Sequence, residues 1–149
     1  MKIAIACDHG GYLLKQDILI WLEENDIDYE DFGCYSTESV DYPVFAERAA
    51  RAVAAGECDK GIVICTTGIG VSIAANKVPG IRAANCHDVF SAQMAREHND
   101  ANILTMGERV IGPGLAALIL DTWLKTEFAG GRHARRVGKM TAYEQGRQS

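Results

Sequence analysis

One cysteine stands where a buried strand should end and a glycine-rich turn should begin: Gly61-Ile62-Val63-Ile64-Cys65-Thr66-Thr67-Gly68-Ile69-Gly70-Val71-Ser72. The β-branched run Ile62 to Ile64 reads as a strand covered on both faces. Thr66 to Gly70 form a small flexible loop, and Val71 to Lys77 resume as a helix. Strand, glycine loop and helix aim backbone N–H groups and a positive helix end at one spot. A negative charge, bound or developing in a reaction, is favoured there. A thiol beside such a helix end ionises more readily than a free thiol, whose pKa is about 8.5. Cys65 is therefore a candidate base, and the N–H groups of Gly68, Ile69, Gly70, Val71 and Ser72 are a candidate anion hole. The competing reading makes Cys65 a small buried hydrophobe.

Three further groups of residues carry chemistry. Asp8-His9-Gly10-Gly11 joins a strand to a helix, so His9 could meet an anion and Asp8 a hydroxyl; the alternative is a helix cap with a solvent-facing histidine. His98-Asn99-Asp100 ends a helix, where turn residues are common and where a histidine can also move protons near neutral pH. Arg132 and Arg136 concentrate positive charge after Gly130-Gly131 and fall on one face if the segment is helical. Two guanidinium groups so spaced can grip one phosphate. Arg109 follows the last strand and can join them. Two weaker signals compete with these. Gly68-Ile69-Gly70 with Asp88 twenty residues on is a partial dinucleotide fingerprint, but Ile73 stands where a small residue must pack. Cys86-His87-Asp88 contains ligand types, yet adjacent side chains rarely converge on one metal, and no spacing resembles a zinc site.

These residues need elements to place them. Strands are predicted over Lys2–Cys7, Ile27–Phe32, Lys60–Cys65, Ile81–Cys86 and Ile103–Met106. Helices are predicted over Tyr12–Glu24, Pro43 to about Ala55, Val71–Lys77, Val89 to about His98, capped by Asp88, and Pro113 to about Phe128. Leu13, Leu14, Ile18, Trp21 and Leu22 form the apolar face of the first helix; Leu115, Leu118, Ile119, Trp123 and Leu124 form that of the last. Alternating strands and helices make an α/β fold: a parallel sheet with helices on both faces. Ligands bind such sheets beyond the C-terminal strand ends, which puts Asp8, His9, Cys65 to Gly70 and Arg109 on one rim.

The bulk numbers narrow the function class. With 149 residues, 48% hydrophobic and 23% charged, the chain fits one domain, 1–149, with a basic C-terminal segment from about residue 130. A net charge of −5 argues against a general nucleic-acid partner. No apolar run approaches the roughly 20 residues of a membrane span. The first strand begins at the N-terminus, leaving no room for a signal peptide. Five cysteines without CxxC spacing fit reduced thiols and a cytoplasmic location.

Taken together, Asp8-His9-Gly10-Gly11, Asp41-Tyr42-Pro43, Cys65-Thr66-Thr67-Gly68-Ile69-Gly70, Ala74-Ala75-Asn76-Lys77, Arg96-Glu97-His98-Asn99-Asp100 and Gly130-Gly131-Arg132 resemble the type B ribose-5-phosphate isomerases. That group also holds allose-6-phosphate and galactose-6-phosphate isomerases, and the likeness covers nearly the whole chain. It implies a three-layer α/β/α sandwich with a five-stranded parallel, Rossmann-like sheet. It implies an aldose–ketose isomerase of ribose 5-phosphate, needing neither metal nor nucleotide cofactor. A homodimer or dimer of dimers would share its sites between subunits. Within that resemblance Cys65 is the base, Thr67 passes a hydroxyl proton and His98 opens the furanose ring. Asp8, Tyr42 and Asn99 meet the sugar, and His9, Arg132, Arg136 and Arg109 meet the phosphate. Some relatives take their base from a glutamate in this loop, where Val71 stands here. Thr66 replaces a usual glycine, which would strain the loop if that position needs positive φ. The resemblance leaves two alternatives: an isomerase of allose, galactose or tetrose phosphates, or a non-catalytic phosphosugar-binding subunit of a hetero-oligomer.

Overall fold

The computed structural model describes residues 1–146. The last three residues of the expected 1–149 domain lie outside the described residues. Five strands form one parallel sheet: β1 (Lys2–Cys7), β2 (Asp28–Asp31), β3 (Lys60–Cys65), β4 (Ala83–Asn85) and β5 (Ile103–Gly107). Six helices accompany them: α1 (Tyr12–Glu24), α2 (Tyr42–Ala54), α3 (Ile69–Ala75), α4 (Val89–Glu97), α5 (Pro113–Lys125) and α6 (Arg132–Glu144). The strand order is β2-β1-β3-β5-β4. The chain leaves β1 toward one edge and returns on its other side as β3, so a switch point lies between their C-terminal ends. A crevice opens at such points because the connections diverge to opposite faces. Asp8 leaves β1 there and Thr66 leaves β3 there.

The two faces of the sheet are packed differently. On one face Ile3, Ile5, Ile62, Ile64 and Leu104 meet the large side chains of α1 and α5, including fully buried Trp123, with Ala92 and Ala95 of α4. On the other, Ala4, Ala6 and Val63 meet Ala46, Ala49 and Ala50 of α2, with Val71 and Ala75 of α3. Small residues on both sides let these helices sit close to the sheet, and that brings the start of α3 over the end of β3. Central strands buried on both faces explain the continuous apolar run that ends at Cys65. No helix among the described residues is long and apolar enough to cross a membrane.

Several boundaries differ from the sequence expectation. The helix after Cys65 begins at Ile69, two residues before Val71, because Gly68 turns left-handed and the Thr67 hydroxyl takes the Ile69 N–H. The fourth strand is Ala83–Asn85, and it starts late because the Asn102 and Asn76 side chains take the N–H groups of Arg82 and Ala83. The second strand is Asp28–Asp31 rather than Ile27–Phe32, and the fifth helix ends at Lys125, where Thr126 turns extended. Leu13 and Leu118, expected on inner faces, are each 61% exposed, and Leu115 is also exposed. Their helices contact the core through Leu14, Ile18 and Leu22 and through Ala116, Ile119, Leu120 and Trp123.

Candidate active site

The Cys65 loop is defined chiefly by its backbone. Cys65 closes β3 at 6% exposure, and its Sγ accepts the Gly68 N–H at 3.1 Å. That bond needs a turn of three residues, which Gly68 makes with φ at 77°. A side chain there would be strained by the backbone alone, and its Cβ would stand 2.3 Å from Asn85 Oδ1. Thr67 Oγ1 accepts the Ile69 N–H at 3.2 Å, so its hydroxyl proton stays available. Ser72 N–H donates to Gly68 O, so of the five amides singled out above, those of Gly68, Ile69 and Ser72 have acceptors inside the loop. Gly70 and Val71, in the first turn of α3, contribute the amides that remain. Thr66 is absent from the non-glycine residues with positive φ, Asp26 and Asp100, so the feared strain does not arise. Its hydroxyl instead fills the place where a Gly10 Cβ would go.

The neighbouring rim residues converge on this loop. Asp8, 5% exposed, caps a 3-10 turn over His9–Gly11 by accepting the Gly10 N–H at 2.9 Å. His9 Nδ1 accepts the Val40 N–H at 3.1 Å, which ties the turn to the approach of α2 and leaves Nε2 as the donor of the neutral ring. The Tyr42 ring leans on the start of α3 so closely that a Cβ on Gly70 would meet it at 2.8 Å. Arg109 N–H donates to Thr66 O, and its side chain is exposed on the same rim. The adjacent Glu108 carboxylate accepts the Leu14 N–H at 2.9 Å, joining the end of β5 to the start of α1. Asp8, His9, Tyr42, Cys65, Thr67, Gly68, Ile69, Gly70, Val71, Ser72 and Arg109 are thus brought together.

Sequence reasoning missed the layer behind the loop. Asn85 Oδ1 accepts from Thr105 Oγ1 at 3.2 Å, and its amide faces Thr67 O at 3.5 Å. His87 Nε2 accepts the Gly107 N–H at 2.9 Å. Burial lowers the pKa of His87 below its ordinary value, against a smaller opposing effect from Asp88. The available signal was Cys86-His87-Asp88, read above only as ligand types. Among the described residues, no three His, Cys, Asp or Glu side chains are grouped to hold a metal ion.

His98, Asn99, Arg132 and Arg136 lie elsewhere. His98 caps the end of α4, and Arg82 at the start of β4 holds Asn99 O and Asp100 O. Gly61, near the start of β3, donates to Asn102 O. This group therefore sits at the N-terminal rim of the sheet. Six residues of β3, rising about 3.3 Å each, put roughly 16 Å between the two rims. Arg132 and Arg136 are both exposed on the helical segment α6, on one face as spaced. His133 between them stacks on His98, centroids 4.2 Å apart and planes 6° from parallel.

Fold and rim geometry define a Rossmann-like α/β protein with a thiol and aligned backbone donors at the sheet's switch point. The sequence profile described as Ribose/Galactose Isomerase matches residues 3–140. Ribose-5-phosphate isomerase B of Escherichia coli is 51% identical over 146 residues, 98% of each chain. D-erythrulose-4-phosphate isomerase of Pectobacterium atrosepticum is 44% identical, covering 97% of this chain and 95% of that one. The solved structure of Clostridium thermocellum ribose-5-phosphate isomerase B is 60% identical, covers 98% of this chain and 99% of that one, and superposes with a TM-score of 0.97. The chain belongs to the ribose/galactose isomerase family and is an isomerase.

Proposed function

We propose that this protein interconverts ribose 5-phosphate and ribulose 5-phosphate, with Cys65 as the base. The observation that carries the reading is the strand-end thiol, held by the Gly68 N–H and faced by the first turn of α3, in a chain of this family. In the open-chain aldose, the Cys65 thiolate takes the proton from C2. The C2–H electron pair becomes the C1–C2 double bond, and charge moves to the O1 oxygen of an enediolate. The amides of Gly70 and Val71 hold that charge; one such donor is worth about 3–4 kcal/mol of barrier in other enzymes. Thr67 carries the hydroxyl proton from O2 to O1, and the thiol returns its proton to C1. Ketose forms without net gain or loss of protons. Asp8 and Tyr42 orient the sugar, while His9 Nε2 and Arg109 reach toward its phosphate end.

His98, Asn99, Arg132 and Arg136 enter this site from a second copy of the chain. The separation of the rims, roughly 16 Å by strand length, supports this. In a symmetric dimer each copy lends its far rim to the other's Cys65. His98 then opens the furanose ring, Asn99 holds a sugar hydroxyl and the arginine pair grips the phosphate. The exposed apolar residues Ile69, Ile73, Tyr42 and Val44 beside the loop suit burial against that copy.

The test is ketose formation from ribose 5-phosphate and, in parallel, from allose 6-phosphate by the purified chain, with aldose formation from D-erythrulose 4-phosphate as the third arm. Preference for the pentose is the expected result. Faster turnover of the tetrose would move this protein toward the Pectobacterium relative. No turnover of any sugar would favour a binding subunit that needs a different chain.

A further inference from the structure

The residue left over from the sequence is His87. It lies in the loop between β4 and α4 and is partly buried. Its Nε2 accepts the Gly107 N–H at 2.9 Å, so it serves that amide only as a neutral ring. Gly107 ends β5 directly opposite Cys65 in the strand register. The same residue abuts the catalytic loop: a Cβ on Gly107 would come within 2.6–2.8 Å of Thr67 carbonyl carbon, Cα and carbonyl oxygen. The two residues after it continue the attachment, Glu108 N–H to Cys65 O and Arg109 N–H to Thr66 O. The end of β5 is thus the wall on which Cys65, Thr66 and Thr67 are laid, and one imidazole ties that wall to the β4 side.

We propose that His87 is the positioning residue of the Cys65 loop: by accepting the Gly107 amide it fixes the strand end that sets where Thr67 and Cys65 stand. The inference rests on the reading of Cys65 as base. His87 touches no reacting atom. It acts through backbone, and its loss should be felt in the chemical step. A displacement of about 1 Å in a reacting group can cost up to 100-fold in rate. Of the phosphate-binding groups only Arg109 follows closely on Gly107 in the chain, and the Arg132 and Arg136 pair stands on α6, so substrate affinity should be largely spared.

Three substitutions separate this from a general structural role. In His87→Gln, Oε1 lies as many bonds from Cα as Nε2 does and can accept the same amide. In His87→Asn the acceptor is too short, and in His87→Leu it is gone. The Gln form should keep at least half of kcat. The Asn and Leu forms should lose about 10–100-fold in kcat with KM within twofold. Amide exchange at Gly107, followed by NMR, should quicken in Asn and Leu and stay slow in Gln. Wild-type kcat in the Asn and Leu forms overturns the proposal, as does a Gln form as slow as Leu, or a loss confined to KM. If Leu does not fold, Asn against Gln decides. If the unmodified chain isomerises none of the sugars, the reading of Cys65 fails. The Gly107 exchange rates then decide the positioning role by themselves.

Discussion

The two rims of the sheet are built by opposite means. At the C-terminal rim the Cys65 loop is fixed by backbone bonds and by glycines packed against their neighbours, with Cys65 6% exposed. At the N-terminal rim side chains do the fixing: Asp100 pairs with both Arg82 and Arg96, and Arg96 also holds Ala101 O. Beyond them α6 has no buried residue at all. A proton-abstracting group must be placed to a fraction of an ångström, which rigid strand ends supply. A phosphate grip needs charge and reach, which an exposed arginine helix supplies. On the proposed reading neither rim suffices alone, and a single protomer keeps them on opposite ends of its strands.

The sharpest way to break the comparison is to remove chemistry from one rim and binding from the other. Cys65→Ser should lower kcat by about 10³-fold while leaving the dissociation constant for a phosphosugar nearly unchanged, because it removes only a general base. Retained turnover in steady-state assays removes Cys65 from the mechanism. The sharing of sites is tested next. Cys65→Ser and His98→Asn chains should each be nearly inactive. Unfolded and refolded together in equal amounts, they should recover roughly a quarter of wild-type activity, because half the dimers carry one intact site of two. No recovery in the mixed sample would place both rims' functions within one protomer.

The opposite rim gives the mirror image. Arg132→Ala or Arg136→Ala should weaken phosphosugar binding by about 10–100-fold, the value of one hydrogen bond to a charged group. Isothermal titration with a non-reactive sugar phosphate measures it, and an unchanged constant takes that arginine out of the site. This rim should also lose stability in acid, as the partly buried His87 makes the other rim do. Partial desolvation, then the neighbouring charge of His98, hold His133 below its ordinary pKa of 6.5. The unfolded chain therefore takes this proton first as pH falls, so stability is full above about 6.5 and declines below it. Melting temperature measured from pH 8 to pH 5 should fall at the acid end, and His133→Gln should flatten that fall. An identical slope in the variant would assign the acid loss elsewhere.

What the sequence disclosed differs between the rims for the same reason. β1, β3 and β5 were legible because strands buried on both faces leave unbroken apolar runs, and the rim rule then grouped Asp8, His9, Cys65 and Arg109. β4 was overdrawn at its start because that end is set by the side chains of Asn76, seven residues before Ala83, and Asn102, twenty residues after Arg82. His87 stayed hidden because its acceptor role depends on Gly107 arriving from another strand. The separation of His98 from Cys65 follows from the parallel sheet itself, because a helix that ends just before β5 must return to that strand's N-terminal end.

Thr66 supplies the smallest test, and it bears on how tightly the backbone-built rim is packed. This residue departs from the glycine expected by resemblance, yet its φ is not positive and nothing in the loop needs glycine there. What it does is fill space: Thr66 Oγ1 stands 2.2 Å from where a Gly10 Cβ would be, and Thr66 N stands 3.2 Å away. Thr66→Gly should therefore leave turnover within about threefold and cost stability by roughly 0.4–1 kcal/mol, through the greater freedom of the unfolded chain. Gly10→Ala alone should cost more, since threonine is stiff at χ1 and cannot easily swing aside. In the Thr66→Gly background that cost should shrink, because the hydroxyl that met the new methyl is gone. Chemical denaturation of the two single variants and the double variant gives the coupling directly, with contacting residues expected to depart from additivity by about 0.5 kcal/mol or more. Strict additivity would mean that Gly10 is kept for its backbone alone, and that the β1 and β3 turns meet without gripping each other.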